Sequence, residues 1–324
     1  MTEQTAPIRV GTRASALARA QSGQMAARLQ QVLGRPAELV DVTTEGDVNR
    51  ASLVSLGGTG VFVSALREAL LRGEVDVAVH SLKDLPTAPA HGIVLAAVPL
   101  REDPRDVVVA RDGLTVAELP AGARVGTGSP RRVAQLRALG LGLELVDVRG
   151  NVDTRIGKVR SGALDAVVLA RAGLARLGRL QDATEVLDPL QVLPAPGQGA
   201  LAIECRADDP LADAVRDALE DHRTRACVTA ERTVLAVLEA GCAAPVGALA
   251  EVVEGEHGEE LWLRAVASSV DGAVAVRRSG SGAFAAGEGD AGSDPEALGR
   301  ALAEEMLAEG AADLIDNRQI ASSK

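Results

Sequence analysis

The sequence predicts an α/β protein made of two related halves, followed by a smaller C-terminal α+β domain. Three observations carry this prediction. They are a buried-strand pattern that ends in polar residues, two short motifs that recur in the same order, and a final region that alternates helices with three strand patterns. At 324 residues the chain is also too long for one ordinary core, which favours two or three domains.

The first observation is the segment 75–84. Valines alternate along it and Ala78 keeps the second face apolar, as expected of a strand covered on both faces in a parallel sheet. Ligands of open α/β sheets bind outside the carboxyl ends of strands, so Ser81, Lys83 and Asp84 are candidate site residues. The alternative is a solvated loop whose exposed Lys-Asp pair contributes only ~0 to 1 kcal/mol.

The second observation is a repeated strand, glycine turn and helix start. The segment 8–15 contains Gly-Thr-Arg-Ala-Ser ahead of an amphipathic helix, and 124–132 returns to the same order. A second echo links 73–79 with 162–168, which favours duplication over coincidence. In the later copy Ser129 suits the N-cap of a helix and Pro130 its first position.

Both glycine turns predict anion sites. Free backbone N–H groups and the helix dipole attract anions at a helix start, and Arg13, Arg131 and Arg132 would stand beside these two starts. Neither turn fits the G-x-x-x-x-G-K-[ST] pattern of a nucleotide-binding Walker loop.

Proline and glycine clusters at 99–106 and 193–199 mark the chain crossings between the halves. If the strand that starts at Ala200 rejoins the first sheet, two strands cross between the halves and form a hinge, as in bilobal solute-binding proteins. We therefore expect two periplasmic-binding-protein-like α/β domains joined by a hinge, plus a small C-terminal α+β domain. The expected boundaries are 1–99 with 200–218, then 105–193, then 222–324.

The C-terminal domain should begin with a helix at 224–239 and end with one at 294–309. Between them we expect strands at 246–254, 260–268 and 273–277, and a loose connection over the Gly/Ala-rich segment 280–292.

Charge and composition exclude several classes of protein. A net charge of -11 and three aromatic residues argue against nucleic-acid binding. No apolar run approaches the ~18 residues of a membrane span, and the start of the chain lacks a signal-peptide pattern, so we expect a cytoplasmic protein. The histidines and cysteines lack metal-site spacings, so no metal is expected.

The charge is nevertheless uneven. Segment 124–176 contains ten Lys/Arg against four Asp/Glu. Because several of these arginines fall at expected strand ends and helix starts, a small polyanion is the expected partner, and a basic outer face is the alternative.

The three cysteines differ in their expected environments. Cys205 ends a strand pattern and Cys227 falls in a helix, so both are expected to be small buried hydrophobic residues. Cys242 follows a helix-terminating glycine on a short loop, where a thiol is accessible. It is either a structural or incidental cysteine or a nucleophile, and the second role requires a thiolate favoured by nearby arginines.

Together these residues resemble the porphobilinogen deaminase (hydroxymethylbilane synthase) family, over nearly the whole chain. The motifs that carry the resemblance are Gly11-Thr12-Arg13-Ala14-Ser15, Thr44-Glu45-Gly46-Asp47, Val79-His80-Ser81-Leu82-Lys83-Asp84, Arg131-Arg132, Arg149-Gly150-Asn151, Thr154-Arg155, Gly197-Gln198-Gly199-Ala200 and Gly241-Cys242 with Pro245.

The resemblance implies a transferase that condenses four molecules of porphobilinogen into hydroxymethylbilane on a dipyrromethane cofactor, which Cys242 carries through a thioether. It implies Asp84 as the catalytic carboxylate. The positions implied for cofactor binding are Cys242, Lys83, Asp84, Ser129, Arg131, Arg132 and Arg155. Those implied for substrate are Arg13, Ser15, Arg149, Arg155 and Arg176, and those for a lid are Gly57, Gly58, Thr59, Gly60 and Phe62. We expect a monomer.

The chain departs from the family's usual pattern in three places. Thr59 and Ser55 stand in the glycine-rich stretch where the family often has lysine, Gly128-Ser129-Pro130 replaces Ser-Ser-Leu, and Ala240 replaces glycine. These departures bear on the contacts of the lid rather than on the reaction. The alternative function is a non-catalytic bilobal protein that binds carboxylates.

Overall fold

The computed structural model describes residues 6–42, 60–241, 244–256, 258–285 and 294–315, without the side chains of 60–62. Its strands are β1 (Ile8–Thr12), β2 (Ala37–Asp41), β3 (Val77–Ser81), β4 (Ile93–Ala97), β5 (Asp106–Ala110), β6 (Arg124–Gly126), β7 (Glu144–Val146), β8 (Ala166–Ala170), β9 (Glu185–Val186), β10 (Leu201–Arg206), β11 (Val246–Gly255), β12 (Gly258–Ser268) and β13 (Ala275–Ala283). Its α-helices are α1 (Ala16–Leu33), α2 (Gly60–Leu71), α3 (Pro130–Ala138), α4 (Val152–Arg160), α5 (Arg171–Arg176), α6 (Leu211–Leu219), α7 (His222–Val237), α8 (Pro295–Ala308) and α9 (Ala311–Ile315).

The chain divides into two compact units. The first contains Met1–Glu102 and Ala200–Arg225, and the second contains Asp103–Gly199 and Ala226–Lys324. Within the ranges that the structure describes, none of the helices combines enough length with enough apolar character to traverse a bilayer.

The first unit is built on a five-stranded sheet in the order β2-β1-β3-β10-β4. Strands β2, β1 and β3 are parallel, and β10 runs antiparallel to both of its neighbours. The prediction that the strand after Ala200 rejoins the first sheet is therefore confirmed.

Both faces of this sheet are covered, as the valine pattern of β3 predicts. Val77 and Val79 pack with residues of α1 and α6 on one face. Ala78 packs with Leu66 and Leu70 of α2 on the other. The apolar faces therefore leave the two ends of the strands as the places where polar side chains collect.

The second unit contains a five-stranded sheet of the same topology, in the order β7-β6-β8-β5-β9. Here β7, β6 and β8 are parallel and β5 is antiparallel to β8 and β9. The two sequence echoes fall on equivalent strands, the first on β1 and β6 and the second on β3 and β8. Two related halves, as predicted, are thus observed in the fold.

The second unit also contains a three-stranded antiparallel sheet, β11-β12-β13, which shares its core with α7, α8 and α9. This confirms the predicted α/β class with an additional α+β portion. Helix α8 is confirmed within a residue at each end, and Asp294 caps it by accepting a hydrogen bond from the N–H of Ala297 at 2.9 Å.

The expected boundary of the third strand is wrong. Strand β13 continues to Ala283, whereas the sequence analysis ended it at residue 277 and assigned 280–292 to a loose connection. Gly280 pairs with Leu263 of β12, and the side chains of Leu298 and Leu302 lie 3.5 and 3.6 Å from where its Cβ would be. Helix α8 therefore packs against the strand at Gly280, and this segment belongs to the sheet instead of forming a flexible connection.

Candidate active site

The carboxyl end of β3 carries the predicted catalytic carboxylate. Ser81 ends the strand and a 3₁₀ turn, Leu82–Asp84, follows at once. Leu82 and Leu85 are buried on either side of Lys83 and Asp84, which are themselves partly exposed. The N–H of Leu82 donates to the carbonyl of Ala200 at 3.0 Å, so the turn is fixed to the start of β10.

Two further predicted residues lie at the same edge of this sheet, because β1 and β3 are parallel neighbours. Arg13 follows β1. Ser15 caps α1 by accepting from the N–H of Ala18 at 3.2 Å. The amide of Gln21 in α1 donates to the hydroxyl of Ser81 at 3.0 Å, which links the first helix to the strand of Asp84.

A buried ionic network, missed in the sequence analysis, lies farther along the same sheet, where Glu204 of β10 is paired with Ala78 of β3. The carboxylate of Glu204 on β10 accepts from Nε and Nη2 of Arg67 at 3.0 and 2.7 Å, and Nε2 of His80 lies 3.2 Å from it. Burial raises the pKa of Glu204, but hydrogen bonds from His80 and Arg67 outweigh it and lower the pKa to about 2. The motif containing His80 was recognised, but its partners come from distant segments.

In the second unit the predicted helix start is confirmed. Ser129 is the N-cap of α3 and accepts from the N–H of Arg132 at 3.4 Å, and Pro130 occupies the first helical position. Ser129 also donates its own N–H to the hydroxyl of the buried Thr127 at 3.3 Å. These contacts place Arg131 and Arg132 in the first turn of the helix, at the carboxyl edge of β6.

Arg131 and Arg132 share one buried carboxylate. Nη2 of Arg131 donates to Oδ2 of Asp106 at 2.8 Å, and Nη2 of Arg132 donates to Oδ1 at 2.7 Å. Gln198 adds a third donor to Oδ1 at 2.7 Å. Burial raises the pKa of Asp106, but the charges of the two arginines reverse this and hold it well below its usual range.

Asp106 was not among the predicted site residues and was assigned to a crossing between the halves. Strand β5 is antiparallel to β8, with Asp106 paired to Ala170 at the end of β8. Because β5 runs opposite to β6 and β8, its first residue lies at the edge of the sheet where those two strands end. An acidic residue directly ahead of a Val-Val-Val run was the available signal.

The two arginines retain capacity for a further anion. Nη1 of Arg131 donates to the carbonyl of Leu193 at 2.5 Å, and Nη1 of Arg132 donates to that of Val168 at 3.0 Å. The Nε atoms of both are buried and have no hydrogen-bond partner among the described residues. Two guanidinium groups against one carboxylate also leave one positive charge in excess.

Arg155 adjoins this cluster, whereas Arg149 and Arg176 have other surroundings. Burial and the charge of Arg132 lower the pKa of Arg155, whose Nε donates to the carbonyl of Gly150 at 2.9 Å. Arg149 is largely exposed, with Nε 3.5 Å from Asp147.

Arg176 donates from Nη2 to the carbonyl of Gly199 at 2.6 Å. The predicted arginines therefore differ in burial and in hydrogen-bond partners.

The predicted lid and the predicted cofactor cysteine fall mostly outside the described residues. These residues are Ser55, Gly57, Gly58, Thr59 and Cys242, while Gly60 begins α2 and the side chain of Phe62 is not described. Of the cysteines that the structure does describe, Cys205 is fully buried and burial raises its pKa to about 12. Cys227 is buried in α7.

The fold and these clusters define the class: an α/β protein with two five-stranded sheets of the same topology, whose sheet edges carry groups suited to anions. Two family models match the chain. The one described as porphobilinogen deaminase, dipyromethane cofactor binding domain, matches residues 8–214, and the one described as porphobilinogen deaminase, C-terminal domain, matches 225–308. The chain belongs to the porphobilinogen deaminase family.

Named relatives agree over the full length. Porphobilinogen deaminase 1 of Streptomyces coelicolor is 58% identical over 98% of this chain and 99% of its own. Porphobilinogen deaminase of Thermobifida fusca is 58% identical over 96% of each chain. A periplasmic substrate-binding protein of an ABC transporter from Coxiella burnetii covers 65% of this chain and 91% of its own at 15% identity and a TM-score of 0.42, and it adds nothing to the family assignment.

Proposed function

We infer that the protein catalyses the reaction of its family. Four porphobilinogen molecules condense head to tail, with release of ammonia, into the linear tetrapyrrole hydroxymethylbilane, in tetrapyrrole biosynthesis. The observation that carries this inference is 58% identity over 98% of the chain to a relative named porphobilinogen deaminase. The alternative of a non-catalytic carboxylate-binding protein is not favoured, because the family's C-terminal domain is matched as well.

The dipyrromethane cofactor of the family supplies a covalently held primer with a free pyrrole α-carbon. The arginine cluster fits such a group, because two guanidinium groups share the one carboxylate of Asp106 and a carboxylate of the cofactor can neutralise the excess charge. We propose that these two arginines, with Ser129, Arg155, Lys83 and Asp84, hold the cofactor.

Cys242 is the proposed attachment point of the cofactor. The thiolate is the reactive form of cysteine, and the raised pKa of the buried Cys205 makes that residue a poor nucleophile. Cys227 is buried in a helix. The chemistry of the two described cysteines thus supports the third as the site of the thioether.

For the substrate, we propose that Arg13, Ser15, Arg149, Arg155 and Arg176 bind the acetate and propionate groups. Arginine forks match carboxylates in two parallel hydrogen bonds and stay charged at any working pH. This requirement explains a concentration of arginine in a protein of net charge -11. Residues 57–60 with Phe62 are proposed to form the lid.

Asp84 is the proposed catalytic residue. Loss of ammonia from porphobilinogen develops positive charge on the pyrrole nitrogen, which a fixed carboxylate stabilises electrostatically. The same carboxylate can accept the proton that is released. The buried residues Leu82 and Leu85 hold the turn that carries Asp84, so the charge is placed before the reaction begins.

The proposal also covers the domain boundaries, the oligomeric state and the cellular location. We propose three domains with the boundaries 1–99 with 200–218, 105–193 and 222–324, supported by three separate sheets. We propose a monomer in the cytoplasm. Two described cysteines without a disulfide support a reducing compartment.

Intact-mass measurement and peptide mapping test the proposed attachment. Freshly purified protein should carry a dipyrromethane adduct on Cys242, and Cys242→Ser should fold without it, because a hydroxyl is a far weaker nucleophile. Cys205→Ser is the matched control and should keep the adduct. An unmodified Cys242 in active protein contradicts the proposal.

The reaction is tested by following ammonia release and tetrapyrrole formation from porphobilinogen. The loaded protein should release ammonia in step with substrate consumption. Binding of porphobilinogen without ammonia release would instead identify a carboxylate-binding protein.

A further inference from the structure

We propose that Asp106 is a positioning residue for carboxylate recognition: it holds the guanidinium groups of Arg131 and Arg132 in the orientation in which the pair binds a carboxylate of the cofactor. This inference rests on the proposed function, in which those two arginines hold the cofactor.

The contacts of the two arginines fix their geometry. A guanidinium group is planar, so two fixed acceptors determine its orientation. Each arginine has two: one oxygen of Asp106 on Nη2, and one main-chain carbonyl on Nη1. Because both Nη2 atoms bind the same carboxylate, the two groups are also fixed relative to each other. The directions of the remaining N–H groups, on Nε and on both Nη atoms, are then fixed as well.

The charge of Asp106 is needed to keep the two arginines side by side. Arg131, Arg132 and Asp106 are all buried, at 3%, 5% and 0% exposure. Without Asp106 two like charges would lie side by side away from water, which strongly disfavours the observed arrangement. With Asp106 a single positive charge remains. Burial lowers the pKa of Arg131 below that of a solvated arginine. One ligand carboxylate completes the neutralisation.

Asp106 is itself held by a neighbouring side chain. Gln198 donates from one amide nitrogen to Asp106 at 2.7 Å and to the carbonyl of Pro104 at 2.6 Å. The glycine-rich segment 197–199 thus fixes the carboxylate from a second direction. Asp106 need not touch the ligand, and its effect passes through the arginines.

Asp106→Asn tests the proposal, because it keeps the size of the side chain and removes its charge. Intact-mass measurement should show loss of the adduct from most molecules of the purified variant. In the loaded fraction KM for porphobilinogen should rise about tenfold, with a smaller change in kcat. A tenfold change is the lower end of the effect seen in metalloproteins when a residue that orients a metal ligand is removed. Asp106→Glu keeps the charge and should restore part of the loading.

The matched control is Asp165→Asn. Asp165 also binds an arginine, with Arg111 Nε at 2.7 Å, and accepts the N–H of Arg124 at 2.7 Å, but it precedes β8 and so lies at the opposite edge of the same sheet. This variant should lose stability and keep its adduct. Full adduct and unchanged KM in folded Asp106→Asn would overturn the proposal.

If Asp106→Asn does not fold, Gln198→Met decides. It removes one hydrogen bond to Asp106 and leaves both ion pairs, so loading should fall partially. Wild-type loading and KM in that variant also overturn the proposal. Absence of any adduct from the wild-type protein refutes the proposed function itself, and is thereby distinguished from a failure at Asp106.

Discussion

Asp84 is held in a short turn between two buried leucines, so a substitution there should change chemistry rather than structure. Asp84→Asn preserves size and removes the charge that is proposed to stabilise the developing pyrrolium. Loss of a preorganised electrostatic partner typically lowers turnover ~10²- to 10³-fold. Binding of substrate should change little, because other residues supply it.

Single-turnover measurement of ammonia release, with substrate binding followed separately, checks the role of Asp84. An exposed ion pair would instead contribute ~1 kcal/mol of stability or less and leave turnover near normal. Near-normal turnover in folded Asp84→Asn would assign Asp84 to the scaffold.

Glu204 provides a prediction on pH. Its pKa is about 2 in the folded protein against 4.5 for the unperturbed group. The resulting stabilisation is on the order of 3 kcal/mol and is complete at pH values above the pKa of the unfolded state. It is lost as pH falls from about 5 towards 2.

Glu204→Gln should therefore be less stable than the wild type near pH 7, and the difference should shrink as pH falls towards 3. Denaturant unfolding at several pH values measures it. A difference that stays constant with pH would show that Glu204 is not ionised against Arg67 and His80.

At the scale of elements, helix α4 presents a matched set of arginines. Arg149 and Arg155 flank its N-cap, Asn151, whereas Arg160 lies in its last turn and pairs with Asp182 at 3.0 Å. If the first two bind carboxylates through two N–H groups, lysine cannot replace them, since it offers only a point charge.

Arg155→Lys and Arg149→Lys should each raise KM for porphobilinogen about tenfold, the effect of roughly 1.4 kcal/mol, while Arg160→Lys should not. Steady-state kinetics compares the three. If Arg155→Lys raises KM and Arg149→Lys does not, carboxylate binding is confined to the buried cluster, because Arg155 adjoins Arg132 whereas Arg149 is exposed.

The elements that the sequence predicted are those with a periodic pattern and recognisable ends. Helix α3 is an example, since Ser129 and Pro130 specify its start locally. Strand β5 was not predicted, because its uniformly apolar run follows a proline-rich crossing that has no strand periodicity. The pairing of Asp106 with two arginines depends on the direction of β5 in the sheet, which no local pattern contains.

At the scale of the whole molecule, the two sheets share details that follow from their common topology. Arg9 donates its N–H to Asp76 at 3.0 Å, and Arg124 donates its own to Asp165 at 2.7 Å, at equivalent positions ahead of β3 and β8. Gly11 and Gly126 also correspond, each near the end of the first parallel strand. A Cβ at Gly126 would lie 2.7 Å from Leu164, whereas one at Gly11 would lie 3.0 Å from Leu66.

Gly126→Ala should consequently destabilise the protein by ~1 to 3 kcal/mol, the usual effect of overpacking, and Gly11→Ala by less. Denaturant unfolding followed by circular dichroism measures both. Equal effects would indicate that neighbouring side chains relax around either methyl group.

The position of β10 in the first sheet has a consequence for synthesis of the protein. During translation, residues 1–102 are synthesised about a hundred residues before Leu201–Arg206. The nascent chain therefore contains β3 and β4 before β10, the strand that lies between them in the sheet. Unpaired strand edges of this kind invite association with other chains. The turn that bears Asp84 gains its hydrogen bond to Ala200 only when that later segment emerges. Truncation anywhere before residue 206 should therefore yield a product dependent on chaperones.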